Sequence, residues 1–224
     1  MIIRPYVAPD EKGWVYTKAL SYLFSSFFDN REPTKPDRDQ TVFEDRIELV
    51  AEEEGQIVGL LDIDIYNADY SRKYLYAPAD KVAYFTNLAV HPDYQGRGIA
   101  QALYQEAYTQ LLEKGVEKLA IFTREGDAAN HLYQKWGGQL VCQDWLVVGV
   151  PKDLSQPSFA IDLRAQQICL TGQDGQPQPY YLREGIYIVA KEADLAHFTI
   201  DTMYKEYTYV IELPKRANHH ERKG

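Results

Sequence analysis

The stretch Asn87-Leu88-Ala89-Val90-His91-Pro92-Asp93-Tyr94-Gln95-Gly96-Arg97-Gly98-Ile99-Ala100 carries chemistry in its spacing. An apolar run ends at His91-Pro92 and a turn with two glycines follows. Ile99, Leu103, Ala107 and Leu111 then recur four apart, as on one face of a helix. At such a junction the N–H groups of the first helical turn converge, and the helix dipole adds about half a positive charge, which suits an anion. Gly96 and Gly98 let the backbone approach a phosphate closely. Two common phosphate loops are spelled differently. A Walker loop needs Gly-Lys-Ser/Thr, and the dinucleotide fingerprint Gly-x-Gly-x-x-Gly meets Gln101 where its last glycine belongs.

Gln95, Gly98 and Ala100 instead satisfy the pattern Gln/Arg-x-x-Gly-x-Gly/Ala, preceded by Leu-Ala-Val-His-Pro, and in this the chain resembles the GCN5-related N-acetyltransferases (GNAT). A second segment, Ala129-Asn130-His131-Leu132-Tyr133-Gln134-Lys135-Trp136-Gly137-Gly138, resembles the Ala-x-x-Leu-Tyr-x-Lys-x-Gly helix of that family. The resemblance covers residues 1–165, with its motifs within 82–138. It implies a GNAT-like central mixed sheet flanked by helices, with acetyl-CoA as cosubstrate and no metal. The backbone of Gln95, Gly96, Arg97, Gly98, Ile99 and Ala100 would cradle the pyrophosphate, Arg97 adding charge. The main chain of Leu88, Ala89 and Val90 would pair with the pantetheine arm, in an opening between this strand and a parallel neighbour at Leu119 to Thr123. An N–H near Ala89 or Val90 would polarise the thioester carbonyl. Asn130 would add a contact from the start of the second helix, where the family often has Asn at the position of Gly126. Tyr133 falls on the general-acid position, from which a phenol protonates the departing thiolate.

Many members of the family carry a carboxylate on the first of these strands to deprotonate the amine; this chain has Thr86 and Asn87 there. The base is then Asp62, Asp64, Glu52 or His91, or water acting on an amine that arrives neutral. The expected reaction is acetyl transfer to a small-molecule or peptide amine by direct attack in a ternary complex. Two other readings stay open. One is a CoA-binding sensor or partner-binding domain of the same fold, catalytically weak or inactive, motivated by the missing strand carboxylate. The other is a hydrolase of a different phosphate-bearing ligand.

Positioning these residues requires a sheet with helices on its faces. The segment Trp14 to Phe28 places Leu20, Leu23, Phe24 and Phe27 on one helix face, expected to be core, and the polar stretch Asp29 to Gln40, with Pro33 and Pro36, reads as a loop. Ile47 to Ala51 and Ile57 to Ile65 flank Glu54-Gly55-Gln56 as a hairpin. Strand alternation projects Asp62 and Asp64 to one side, where they form a solvated acidic face or orient an amine. A strand at Val82 to Val90 and a helix at Gly98 to Lys114 follow, then a strand at Leu119 to Thr123. A helix capped by Asp127 runs through Trp136, and Leu140 to Val150 returns to strand character. This interleaving is of the α/β (mixed α+β) class over residues 1–165. Residues 166–224 read as a small β-rich C-terminal extension, with strands at 168–170, 180–182, 186–190 and 207–213. It completes the sheet, closes over the acceptor, or makes a homodimer contact.

The 224 residues hold 33 Asp and Glu against 24 Lys and Arg, a net charge of −9. That balance disfavours nucleic acid and anionic membrane as partners and tilts the acceptor toward cations. Cys142, Cys169 and the five His show no metal-ligand spacing, which suggests a reduced compartment. No run approaches the ~20 apolar residues of a spanning helix, and Met1 to Tyr6 lacks the character of a signal peptide, so the expectation is a soluble, cytoplasmic protein.

Overall fold

The computed structural model describes residues 1–23, 25, 32–126, 129–153, 158–162, 164–165, 167–179, 182 and 185–214. The chain divides into two compact units, Met1–Cys142 with Tyr207–Gly224, and Gln143–Glu206. The first contains β1 (Ile2–Pro5), α1 (Glu11–Tyr22), β2 (Phe43–Glu53), β3 (Gln56–Tyr66), α2 (Ala68–Arg72), β4 (Val82–Val90), α3 (Ile99–Glu113), β5 (Lys118–Arg124) and α4 (Ala129–Lys135). The chain leaves it along β6 (Gln139–Pro151) and passes through β7 (Ser158–Asp162), β8 (Gln167–Thr171), β9 (Pro177–Gln178) and β10 (Gly185–Val189). It returns on β11 (Phe198–Glu212), whose residues from Tyr207 onward belong to the first unit.

In the first unit the strand order is β1-β2-β3-β4-β5-β11. β1 to β4 pair antiparallel and β4 with β5 parallel, giving the mixed sheet with flanking helices that the resemblance implies. The β2–β3 connection is tight because Glu54 and Gly55 both take positive φ, 52° and 79°, the geometry of a two-residue type I′ turn. Alternation along β2 and β3 sends Ile47, Leu49, Leu61, Ile63 and Ile65 to the face covered by α3, where they meet Ile99, Leu103, Ala107 and Leu111. The opposite face holds a smaller cluster of Trp14 from α1 with Leu60 and Ala89. Of the three roles open to the last strand, the segment from Tyr207 takes the first: it completes the sheet beside β5, and Leu213 N–H donates to Glu117 O at 2.8 Å.

The second unit has β6 antiparallel to β10, from Gly185↔Gly149 to Val189↔Trp145, and a separate three-stranded antiparallel sheet β7-β8-β9.

One expectation about α1 needs correction. The helix starts at Glu11, and its buried residues are Trp14, Thr17 and Lys18, while Leu20 and Leu23 are 40% and 53% exposed. The indole of Trp14 claims the sheet, which turns Leu20 and Leu23 away from it. Phe24, Phe27, the cap Asp127 and the strand residues Tyr180 and Tyr181 lie outside the described residues.

Candidate active site

β4 is bound to β3 along most of its length but to β5 only at its start. Val82, Ala83 and Tyr84 pair with Lys118, Leu119 and Ala120, whereas the strands run on to Val90 and Arg124. Beyond Tyr84 they part, and one edge of β4 is left open. Ladder parity says which main-chain groups face that opening. His91 N–H donates to Val58 O at 2.9 Å, so two residues back Ala89 is again turned to β3, opposite Leu60. Leu88 and Val90 point the other way. The carbonyl of Leu88 accepts the Tyr22 hydroxyl at 3.4 Å, and that of Val90 accepts Gln95 Nε2 at 3.2 Å.

After β4 the chain makes a short 3-10 turn, Pro92–Tyr94, capped by the His91 side chain, which accepts Asp93 N–H. Gly96 and Gly98 follow at φ 75° and 79°, a region that side-chain-bearing residues rarely adopt. Gly98 is the residue at the head of α3 and has no side chain to bond the N–H groups of the first turn, which remain available to an anion.

A cavity of about 840 Å³ opens at this junction, in the range of small-ligand sites. Leu88, Val90, Gln95, Gly96, Gly98, Ile99, Ala100 and Tyr133 all line it. Tyr133, 6% exposed, projects from α4 among the rings of Phe85, Trp136 and Tyr209, at centroid distances of 5.8, 5.7 and 6.4 Å. Trp136 in turn stacks on Tyr104 at 3.8 Å and donates from Nε1 to Gln101 at 2.8 Å, fastening α4 to α3.

Three expected residues are not among the lining. Ala89 packs its side chain with Trp14 and Leu60. Arg97 donates to Asp93 O at 3.1 Å, lies 3.6 Å from Glu53 and covers the Tyr94 ring at 4.7 Å. Asn130 Nδ2 donates to Arg124 O at 2.7 Å, tying α4 to the end of β5. The lining also includes Tyr22, Tyr84, Thr86, Gln101 and Phe122, which sequence reasoning missed. Thr86 and Gln101 border the quoted motif, and widening it by one residue on each side finds them. Tyr22 and Phe122 arrive from distant elements and carry no local signal. Because Ala83 and Phe85 face α3, Tyr84 faces α1, so the lining draws on both sides of the sheet where β4 and β5 part.

The candidate bases are engaged elsewhere. Asp62 and Asp64 do share a face, but they are 1% and 2% exposed, which corrects the expectation of a solvated acidic surface. Lys35 Nζ reaches Asp62 Oδ1 at 2.7 Å, while Trp14 Nε1 and Asn87 Nδ2 both donate to Oδ2 at 3.1 Å. Burial pushes the Asp62 carboxyl above its ordinary value, with Lys35 and Asn87 pulling against it. Arg46 Nε holds Asp64 at 2.5 Å, and Glu52 pairs with Arg4 at 2.7 Å. None of Asp62, Asp64, Glu52 or His91 is among the cavity lining. Among the described residues, no group of three or more His, Cys, Asp or Glu is placed to hold a metal ion.

Comparison with known proteins bears on the family and on the fold. The sequence model of the acetyltransferase (GNAT) family matches residues 17–138. A curated acetyltransferase of Yersinia pestis (strain Pestoides F) is 41% identical over 63 residues, which are 28% of this chain and 43% of that protein. One from Sodalis glossinidius is 34% identical over 88 residues, 39% of this chain and 53% of that one. The match thus spans about half the length of these relatives. Among solved structures, a ribosomal-protein-alanine N-acetyltransferase from Brucella melitensis superposes with a TM-score of 0.54 at 15% identity, over 95% of this chain and 100% of that one. The yncA protein of Salmonella typhimurium, solved with its cofactor acetyl-CoA, gives 0.53 at 14% identity, over 97% and 96% of the two chains. At such identities the structural likeness speaks to the fold alone. The family match itself extends over more than half of the residues, and by it the chain belongs to the GNAT acetyltransferase family.

Proposed function

We propose that this protein transfers the acetyl group of acetyl-CoA to a primary amine by direct attack, with both substrates bound together. The observation that carries the reading is the parting of β4 from β5, with a cavity whose lining joins the left-handed glycine turn, Leu88 and Val90, whose N–H groups turn away from β3, and Tyr133. These groups fit the cosubstrate. The N–H groups at the head of α3 suit a diphosphate, and the exposed edge of β4 suits an amide-bearing arm. Acetyl-CoA supplies the thioester. Val90 N–H stabilises negative charge as it develops on the carbonyl oxygen, and the Tyr133 phenol gives its proton to the departing sulfur. The C–N bond forms as the C–S bond breaks; the nitrogen loses one proton to water, and Tyr133 recovers one from water. The α3 side of the cavity receives the cosubstrate and the α1 side the amine.

Isothermal calorimetry with acetyl-CoA, ATP and NAD, joined to an assay of thiol release in the presence of amines, tests this. Binding of acetyl-CoA in preference to the two nucleotides, with amine-dependent thiol release, is the expected result. That none of the four candidate bases lines the cavity favours a second reading, a CoA-binding domain without useful catalysis. Tight binding with no transfer to any amine would select it.

A further inference from the structure

The α1 side of the cavity is built differently from the α3 side. Leu20, Tyr22, Tyr84 and Phe122 wall it, and Thr86 lies among them. Tyr84 and Phe122 meet edge to face at 5.5 Å, and Phe122 meets Tyr76 in the same way at 5.1 Å, so the apolar wall is backed by a further ring.

Thr86 stands where β4 bulges. Asn87 pairs with Asp62 and Phe85 with Ile63, leaving Thr86 without a partner across the ladder, the situation in which a strand re-aims a side chain. Its Oγ1 lies 2.7 Å from Asp64 Oδ2. Asp64 is itself fixed, with Arg46 Nε at 2.5 Å from Oδ1 and Nη2 at 3.3 Å from Oδ2. An ionised carboxylate only accepts and a hydroxyl has one proton, so the Thr86 proton is directed at Asp64 and the oxygen turns lone-pair density toward the cavity. What remains there is an acceptor for an N–H group, set among the apolar and aromatic side chains of the α1 wall.

The acidic excess of the chain does not reach this wall through the neighbouring carboxylates. Asp62 and Glu48 both lie against Lys35 Nζ, at 2.7 and 3.2 Å, and Arg46 neutralises Asp64. The α1 wall itself offers rings and the hydroxyls of Ser21, Ser25 and Thr86, while the one carboxylate among the described cavity lining, Glu125, accepts the Tyr207 hydroxyl at 3.2 Å.

We infer that the α1 side of the cavity takes an unhindered primary amine carried on an apolar or aromatic body, and that Thr86 Oγ1, aimed by Asp64, receives the N–H of that amine. Thr86 positions the nitrogen; no proton is moved through it. The inference rests on the acetyltransferase reading. Its test is steady-state kinetics of the full chain at saturating acetyl-CoA, with phenethylamine and spermidine as probes. Phenethylamine should be preferred by at least ~10-fold in kcat/KM, the worth of roughly one well-made contact. Thr86→Val should raise the KM for phenethylamine by about 10-fold while calorimetry shows an unchanged Kd for acetyl-CoA, and Thr86→Ser should restore the KM to within about threefold. An unchanged acceptor KM in Thr86→Val, or transfer to spermidine in preference to phenethylamine, would overturn the inference and leave the acetyltransferase reading standing. Failure of the parent protein to bind acetyl-CoA would overturn both.

Discussion

Tyr133 is one of 18 tyrosines, and apart from the family resemblance of residues 129–138 nothing in the sequence distinguishes it from a packing residue. Its setting does: the ring is held by Phe85, Trp136 and Tyr209, and the side chain lines the cavity beside the open edge of β4. Tyr133→Phe keeps those ring contacts and removes only the hydroxyl. Single-turnover measurement should therefore show a loss of roughly 10²- to 10⁴-fold in the chemical step, with the acetyl-CoA Kd by calorimetry moving less than about twofold. An unchanged rate would remove the general-acid role. The aspartates show the opposite limit of reading residues singly. Alternation correctly gives Asp62 and Asp64 a common face, yet Lys35 lies 27 residues away from Asp62 and Arg46 lies 18 away from Asp64, so no local pattern could show that both acids are buried and paired.

At the scale of elements, the turn into α3 is the feature on which cosubstrate binding depends. A Cβ at Gly98 meets no atom within 4 Å, so substitution there is penalised by its φ of 79° and not by crowding. Gly98→Ala should cost about 1–2 kcal/mol in urea unfolding and weaken acetyl-CoA binding as the turn relaxes, measurable on one preparation by denaturation and calorimetry. The N-terminal clamp makes a second prediction. Arg4 on β1 donates to both Asp10 oxygens at 2.6 and 2.8 Å, and Val7 N–H adds a third bond at 2.9 Å, fixing the chain just before α1. Arg4 and this backbone bond hold the Asp10 carboxyl below its ordinary value, although burial opposes them. A carboxyl depressed by folding stabilises the fold above its unfolded pKa and loses that contribution as pH falls through the folded value. Asp10→Asn should thus cost about 2 kcal/mol near neutrality, and the gap from the parent protein should shrink once the pH drops below about 4. Urea titrations of both proteins across pH 7 to about 2 check the sign.

For the molecule as a whole, the first unit is discontinuous: the chain leaves it after Cys142 and returns at Tyr207. The returning strand buries Tyr209, Val210, Ile211 and Leu213 to 5% exposure or less. Losing four such side chains removes about 6–12 kcal/mol of burial, as much as the whole stability of a typical domain. A chain ending at Glu206 should therefore show no cooperative thermal transition by circular dichroism, and a sharp one would mean that β11 is dispensable. Interactions within a few residues determine what the sequence by itself made legible: the Glu54-Gly55 turn, the alternation of β2 and β3, the glycine junction before α3 and the four-residue repeat along that helix. Each rests on backbone geometry and side-chain type over a short span, and the family resemblance rests on the same local motifs. The tertiary structure alone decided where β4 and β5 part, that the last strand lies beside β5, which main-chain groups of β4 stay open, and that the acids behind Thr86 are neutralised from within. Those outcomes depend on pairings between residues tens of positions apart, whose partners a linear pattern does not name.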